Sequence, residues 1–268
     1  MAATVLTLRQ EPDQRLDLSV VTPERLRDLS RHEIAALPVG TTRVPVALGD
    51  VFAIRLGDRD RIRIVGGSKR LDRLGAALKT GEIRVEGDVG MAAGLGMSGG
   101  RIAIEGSADS LVGALMAGGT LVVAGSVGDA AGGATPGAMA GMRGGLLAIA
   151  GGAGERLGDR MRRGIIAVFG EAGPYAGSRM LGGTLLASAA GPLPGYLMQR
   201  GTLILGTDAV LAPSFVDSGA HDLQFLGLLR RWLGAQDRRL AALVPSRAER
   251  FQGDMATLGR GEILVART

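Results

Sequence analysis

The sequence predicts an all-β solenoid, a right-handed parallel β-helix with coils of about nineteen residues, and three observations predict it. The first is a strand motif bounded by glycines. Gly81-Glu-Ile-Arg-Val-Glu-Gly87 returns as Gly100-Arg-Ile-Ala-Ile-Glu-Gly106, and again from Gly119, Gly145 and Gly164. Degenerate copies begin at Gly183 and Gly201, and Asp60–Gly66 is a leading copy. The steps from Gly81 to Gly201 are 19, 19, 26, 19, 19 and 18 residues. The second is a glycine followed three residues later by Met or Leu, then by the glycine of the strand. It reads Gly75/Leu78/Gly81, Gly94/Met97/Gly100 and Gly113/Met116/Gly119, then Gly158/Met161/Gly164, Gly177/Met180/Gly183 and Gly195/Met198/Gly201. Only the coil leading to Gly145 departs, with Met139 where glycine is expected and Met142 kept. The third is composition: 45 glycines, no Asn, and five Phe, two Tyr and one Trp in 268 residues. With so few rings, a core must come from aliphatic side chains.

Each element follows from local chemistry. Alternation such as Ile83 and Val85 inward with Arg84 and Glu86 outward describes a short half-buried strand. A parallel βαβ unit needs ~30 residues, so these strands are too close for crossover helices. Stacking them ~4.8 Å apart satisfies the backbone and makes a continuous inner column. The Met/Leu position supplies a second inward column. Glycine is expected at corners of positive φ or close approach, and without Asn those corners fall to Gly. Right-handed coiling follows from the crossover rule. The 26-residue step contains Gly128–Gly137 and predicts a loop of seven extra residues projecting from one face.

Three regions are expected: an N-terminal cap (1–59), the β-helix (60–210) and a C-terminal helical extension with a terminal strand (211–268). Open ends of a solenoid need cover. In the first cap Thr4–Leu8 and Leu16–Val21 read as strands, and Thr22 as the N-cap of a helix over Pro23–Leu37. At the other end Asp222–Leu233 reads as an amphipathic helix stopped by Gly234, packed on the solenoid, followed by a strand Gly261–Ala266.

The chemistry on view is sparse. Gly94-Leu-Gly-Met-Ser-Gly99 matches a dinucleotide fingerprint in letters only, because a strand and not a helix follows it. There is no P-loop. The chain has no cysteine, so no disulfide, thiolate metal site or iron–sulfur ligation is expected. His32 and His221 lie in opposite terminal regions and read as surface or capping residues; no metal site is expected. Asp58/Asp60 and Glu155/Asp159 sit beside arginines as solvated charge, and no acid, base and oxyanion set is visible. No secretory leader or membrane span is evident, which points to a cytoplasmic protein. The formal net charge is +5, with only Lys69 and Lys79 as lysines.

One cluster invites a ligand. Arg156, Arg160, Arg162 and Arg163 crowd into one turn, and Arg143 and Arg179 occupy turns of neighbouring coils. Stacking would assemble them into a basic stripe for a polyanion or an acidic subunit; otherwise they form a solvated edge. Nucleic acid is disfavoured, since few aromatics are available to stack bases.

The G-x-[IL]-x-[VI]-x-G and G-x-x-M-x-x-G coils resemble the glycine-repeat domain ending the large subunit of glutamate synthase, and resemble more closely the C subunit of formylmethanofuran dehydrogenase. Leu29–Pro38, Leu48-Gly-Asp-Val-Phe52, Gly253-Asp254 and Gly259–Val265 are similar to the flanks of that second family, so the likeness spans nearly the whole chain. The resemblance implies a non-catalytic structural and docking subunit within an enzyme complex. In the bacterial branch that complex is a formyltransferase/hydrolase taking formyl-tetrahydromethanopterin to formate through a methanofuran-like carrier. Its implied partners are an amidohydrolase-like hydrolase subunit, a formyltransferase subunit and a dehydrogenase-related subunit. Catalytic groups and metals are implied to lie on those partners, with the carrier's glutamates as a ligand for the basic stripe. The preference for arginine over lysine, with Cys and Asn absent, favours the bacterial branch as a genomic trait. The alternatives are the corresponding subunit of a molybdenum or tungsten formylmethanofuran dehydrogenase, and a stand-alone carbohydrate-active β-helix.

Overall fold

The repeats stack. The computed structural model, which describes residues 2–41 and 44–267, places strands β1 (Ala3–Leu8), β2 (Leu16–Asp17), β3 (Phe52–Arg55), β4 (Asp58–Val65) and β5 (Leu71–Asp72) before the regular repeats. Then come β6 (Glu82–Glu86), β7 (Ser98–Ile104), β8 (Gly118–Val123), β9 (Arg143–Ile149), β10 (Arg163–Ala172), β11 (Leu181–Ala190) and β12 (Arg200–Leu205). The chain closes with β13 (Val216–His221), β14 (Arg247–Gly253) and β15 (Arg260–Arg267). Thirteen strands form one sheet in the order β13-β14-β15-β12-β11-β10-β9-β8-β7-β6-β4-β1-β3, and β2 pairs with β5 in a second. From β1 through β4 and β6 to β12, and on to β15, every pairing is parallel.

Register sets the core. Ile62, Ile83, Ile102, Leu121, Leu147, Ile166, Leu185, Leu203 and Ile263 are successive partners, none more than 2 % exposed. Ile64, Val85, Ile104, Val123, Ile149, Val168, Ala187, Leu205 and Val265 form a second inner file, equally buried. A third line is made by single parallel bridges from Ser68 through Val89, Ala108, Val127 and Ala153 to Ala172. Leu78, Met97, Met116, Met142, Met161, Met180 and Met198 are all fully buried, the expected second signature turned inward. Each fully buried aliphatic side chain contributes roughly 1.5–3 kcal/mol, so these files carry most of the stabilisation.

The corners correct one expectation: left-handed backbone is not confined to glycine. Arg73, Ala92, Leu111, Ala130, Arg156, Tyr175 and Leu193 all have φ between 54° and 64°, two residues before each corner glycine. Their N–H groups donate to the next repeat, as in Ala92 to the Ser110 carbonyl (2.8 Å) and Arg156 to that of Pro174 (2.9 Å). Those bonds hold a conformation that costs ~1–2 kcal/mol for an L residue. Glycine is reserved for the position whose Cβ would enter the core. At Gly132 an added Cβ would lie 2.4 Å from Ile166 Cδ1. The repeat before Gly145 therefore keeps its corner glycine, Gly132, and the extra residues fall between it and Met142. Met139 stands in the loop, 82 % exposed.

The ends differ most from expectation. The single helix over Pro23–Leu37 is two short ones, α1 (Pro23–Leu26) and α2 (Arg31–Ala35). Thr22 stands at the N-cap of α1 but its side chain makes no capping bond. The true capping box is Ser30 with Glu33: the Glu33 N–H donates to Ser30 Oγ (3.3 Å), and the Ser30 N–H to Glu33 Oε2 (2.8 Å). A one-turn helix α3 (Leu48–Val51) precedes β3. The strand expected over Leu16–Val21 is only Leu16–Asp17. At the other end α4 (Gln224–Gln236) runs through Gly234, with Asp237 as its C-cap. Asp237 also caps α5 (Arg238–Ala241), accepting the Arg239 N–H at 2.9 Å. Strands β13 and β14 carry no sequence signal, being too polar to show an alternation.

The outward face of the sheet changes character along the stack. Arg63 and Arg84 head one outward file, pairing with Glu86 and Glu105, and Ala103, Val122, Ala148, Ala167, Leu186, Ile204 and Leu264 continue it. From β9 onward this apolar half is covered by Leu226 and Leu233 of α4, Leu240 of α5, and Val244. None of the helices among the described residues is long and apolar enough to cross a membrane.

The packing at two positions can be tested directly. Gly158 has φ +67°, and an added Cβ would lie 3.2 Å from both Ile166 Cδ1 and Leu185 Cδ1. Gly158→Val should destabilise the chain by about 3–5 kcal/mol, combining backbone strain with overpacking, as read by denaturant midpoint. At the N-terminal end Glu24 of α1 accepts the Lys79 N–H (2.9 Å), the Thr80 N–H (2.6 Å) and the Thr80 hydroxyl (3.2 Å). Burial raises the Glu24 carboxyl. Hydrogen bonds from its own N–H, from the N–H groups of Thr80 and Lys79, and from the Thr80 hydroxyl outweigh that and hold it below its ordinary value. A depressed carboxylate stabilises the fold above its unfolded value and loses that contribution as pH falls through the folded one. Glu24→Ala should cost ~1–2 kcal/mol at neutral pH and flatten acid unfolding below about pH 4.3, measured by thermal melts across pH.

Candidate functional site: an arginine-lined edge

The six arginines expected to form a stripe fall into two groups with different employment. Arg156, Arg160 and Arg179 sit at left-handed corner positions with φ of 58°, 54° and 53°. All three are engaged within the chain. Arg179 makes a two-pronged pair with Asp159, Nε to Oδ1 at 2.8 Å and Nη2 to Oδ2 at 2.7 Å. Asp159 is 5 % exposed and also accepts the Ser178 hydroxyl at 2.7 Å, so its lone pairs are well used. Arg160 Nη1 donates to the Ala138 carbonyl at 2.8 Å and so pins the seven-residue loop. Arg156 pairs loosely with its neighbour Glu155, at 3.1 Å and in solvent.

Arg143, Arg162 and Arg163 lie at the strand starts and are exposed. Arg143 and Arg163 are register partners across β9 and β10, and the Arg162 and Arg163 N–H groups both donate to the Met142 carbonyl. Further along the stack Arg200 pairs in register with Leu181 on one side and with Arg260 on the other. Among the described residues none of Arg143, Arg162, Arg163, Arg200 and Arg260 has a carboxylate within ion-pair distance. Sequence proximity alone misses Arg200 and Arg260. Their signal is positional, since each directly precedes a strand glycine, Gly201 or Gly261, as Arg163 precedes Gly164. These five unpaired guanidinium groups stand at the starts of β9, β10, β12 and β15, with Leu181 of β11 interrupting the row between Arg163 and Arg200. They are planar donors suited to carboxylate or phosphate.

Beside this row the corner opens into a surface groove of about 330 Å³, lined by Arg156, Tyr175, Ser178, Arg179 and Tyr196 among others. Both tyrosines of the chain are here, their rings edge to face with centroids 5.8 Å apart. Tyr and Arg on rigid backbone are the residue types that dominate binding hot spots. Elsewhere the chemistry is thin. Among the described residues no three His, Cys, Asp or Glu side chains converge on a metal-sized site. His32 is exposed on α2, and His221 lies exposed on β13 with Nε2 2.8 Å from the Ser218 carbonyl.

No protein-family model matches the chain. Its fold superimposes on a chain of the crystal structure of the formyltransferase/hydrolase complex from Methylorubrum extorquens in complex with methylofuran. The TM-score is 0.93 and the identity 47 %, over 98 % of this chain and 100 % of that one. The C subunit of the formyltransferase/hydrolase complex of the same organism is 52 % identical over 87 residues, 32 % of this chain and 33 % of the relative. The chain belongs to the C-subunit family of formyltransferase/hydrolase and formylmethanofuran dehydrogenase complexes. Archaeal relatives are more distant. The C subunit of the tungsten-containing formylmethanofuran dehydrogenase 2 of Methanococcus maripaludis is 28 % identical over 93 residues, 34 % of each chain. Its counterpart in the molybdenum-containing formylmethanofuran dehydrogenase 1 of Methanosarcina barkeri is 34 % identical over 96 residues, 34 % of this chain and 32 % of that one. The matched segments span about a third of the length of these curated relatives.

The Asp159–Arg179 pair gives an asymmetric prediction for this family member. Arg179→Ala leaves a buried carboxylate with only the Ser178 hydroxyl and should cost about 2–4 kcal/mol. Adding Asp159→Asn should recover part of that loss, because the stranded charge is then removed. A double-mutant cycle by chemical denaturation reads both.

Proposed function

We propose that this chain is a structural and docking subunit of a cytoplasmic formyltransferase/hydrolase complex. The complex converts formyl-tetrahydromethanopterin to formate through a methanofuran-like carrier, and its transferase, hydrolase and dehydrogenase-related subunits supply the catalytic groups. The single observation that carries this reading is the near-complete structural match, at 47 % identity, to a chain of a formyltransferase/hydrolase complex. The architecture suits the role. We read the stacked repeats as coils of a right-handed parallel β-helix over 60–210, with 1–59 and 211–268 as its two end regions. Such a stack is a rigid spacer whose length is set by the number of coils. The unpaired row Arg143, Arg162, Arg163, Arg200 and Arg260, with the tyrosine groove beside it, is the surface we assign to the carrier's carboxylates. Arg156, Arg160 and Arg179, already held within the chain, shape that edge.

Purification of the tagged chain from its native host tests the role. Recovery of transferase and hydrolase chains with a bound furan carrier is the expected result. Companions holding molybdopterin and iron–sulfur clusters would instead place the chain in a dehydrogenase, and elution alone as a sugar-hydrolysing chain would remove both readings. The arginine row has its own test. Arg143→Glu with Arg163→Glu should weaken carrier retention roughly tenfold, with assembly intact and the wild-type difference shrinking at high salt. Unchanged carrier content per complex would count against the assignment.

A further inference from the structure

Helix α4 carries more apolar surface than the sheet beneath it covers. At about 100° per residue, Leu226, Leu229 and Leu233 share one line facing the outer sheet, and Leu226 and Leu233 are no more than 2 % exposed. Phe225, Leu228 and Trp232 share an adjoining line and remain 38 %, 65 % and 47 % exposed. They include the only tryptophan of the chain. Next to Leu228 is Gly227, exposed in the helix interior, where an added Cβ would meet nothing within 4 Å. Glycine is the poorest helix former after proline, and here no packing within the chain calls for it. It is the residue that lets another backbone come close.

Charge narrows the occupant. Helix α4 has no acidic residue. Arg231 beside the stripe, and Arg238 just beyond its end, are exposed and without a carboxylate partner among the described residues. A two-fold interface with a second copy would set the same patch against itself and bring these arginines onto like charges. We infer that the Phe225–Leu228–Trp232 stripe docks a different subunit of the complex, through an apolar surface with an acidic rim. An aromatic and aliphatic centre bordered by arginine is the composition of a protein–protein hot spot. The inference rests on the proposed role within a multi-subunit complex.

The test is co-expression of the full chain with the transferase, hydrolase and dehydrogenase-related chains of its own organism. The wild type is compared with Leu228→Glu, Trp232→Glu and Arg231→Glu. All three positions are exposed, so circular dichroism and melting temperature of the purified variants should match the wild type. Should a glutamate variant misfold, Leu228→Ser decides the case. The expected result is a roughly thirtyfold or greater loss of affinity for one companion chain with Leu228→Glu or Trp232→Glu. Arg231→Glu should give a smaller, salt-dependent loss. Wild-type recovery of every companion by all the variants would overturn the docking surface and leave the proposed role standing; a wild type that recovers no companion would overturn the role itself. Two other outcomes also overturn the stripe: a wild-type dimer that the variants dissociate, and binding to vesicles of anionic phospholipid that the variants abolish.

Discussion

Everything in this chain depends on vertical register, each residue lying above its own counterpart in the repeat before. Ile83 meets Ile102, which meets Leu121, which meets Leu147. Because like sits on like, one choice of side chain must satisfy neighbours above and below, and the sequence repeats for that reason. The constraint extends to polar groups. Asp88 accepts the Ser107 N–H, the Ser107 hydroxyl accepts the Ser126 N–H, and the Ser126 hydroxyl accepts the Gly152 N–H, at 2.8, 3.2 and 3.1 Å. The last of these bridges 26 residues and not 19, so the register survives the longest repeat. The additional residues leave the stack before Met142 and return without shifting it.

What is legible in the sequence is what repeats. The two inner strand files and the methionine line are visible because they recur with fixed spacing. Outward positions are harder. Leu146, Ala148, Ile165, Ala167, Leu186 and Ile204 stand where an alternating strand should turn to solvent, and their apolar character signals that something covers β9 to β12. Reading the strands only for their inward residues misses it. The helix boundaries fail for local reasons. Gly234 looks like a stop, but α4 continues until Asp237 turns extended and caps the next helix. Ser30-Arg-His-Glu33 is a capping box written plainly in the sequence, and it marks the break in the expected N-terminal helix.

The candidate site is half legible. Clustered arginines draw attention to the correct edge, but clustering along the chain does not say which guanidinium groups are free. Arg179 answers to Asp159, twenty residues earlier, and Arg160 to a loop carbonyl at Ala138. Conversely Arg200 and Arg260 are isolated in sequence and become neighbours only because β12 and β15 pair. The stacking that makes inner side chains predictable thus brings together surface groups that no short motif connects.

The terminal strands limit the stack. At one end β3 lies antiparallel to β1, and at the other β14 runs antiparallel to β15 and β13 antiparallel to β14. The outermost strand β13 is irregular between Asp217 and Ala220, and Gly219 there takes φ +81°. A flat parallel template would invite another molecule to add itself and continue indefinitely, as fibrils do. Here the reversal and the kink arrest elongation, so the object has a finite, genetically counted height, and every surface feature keeps a fixed altitude along it.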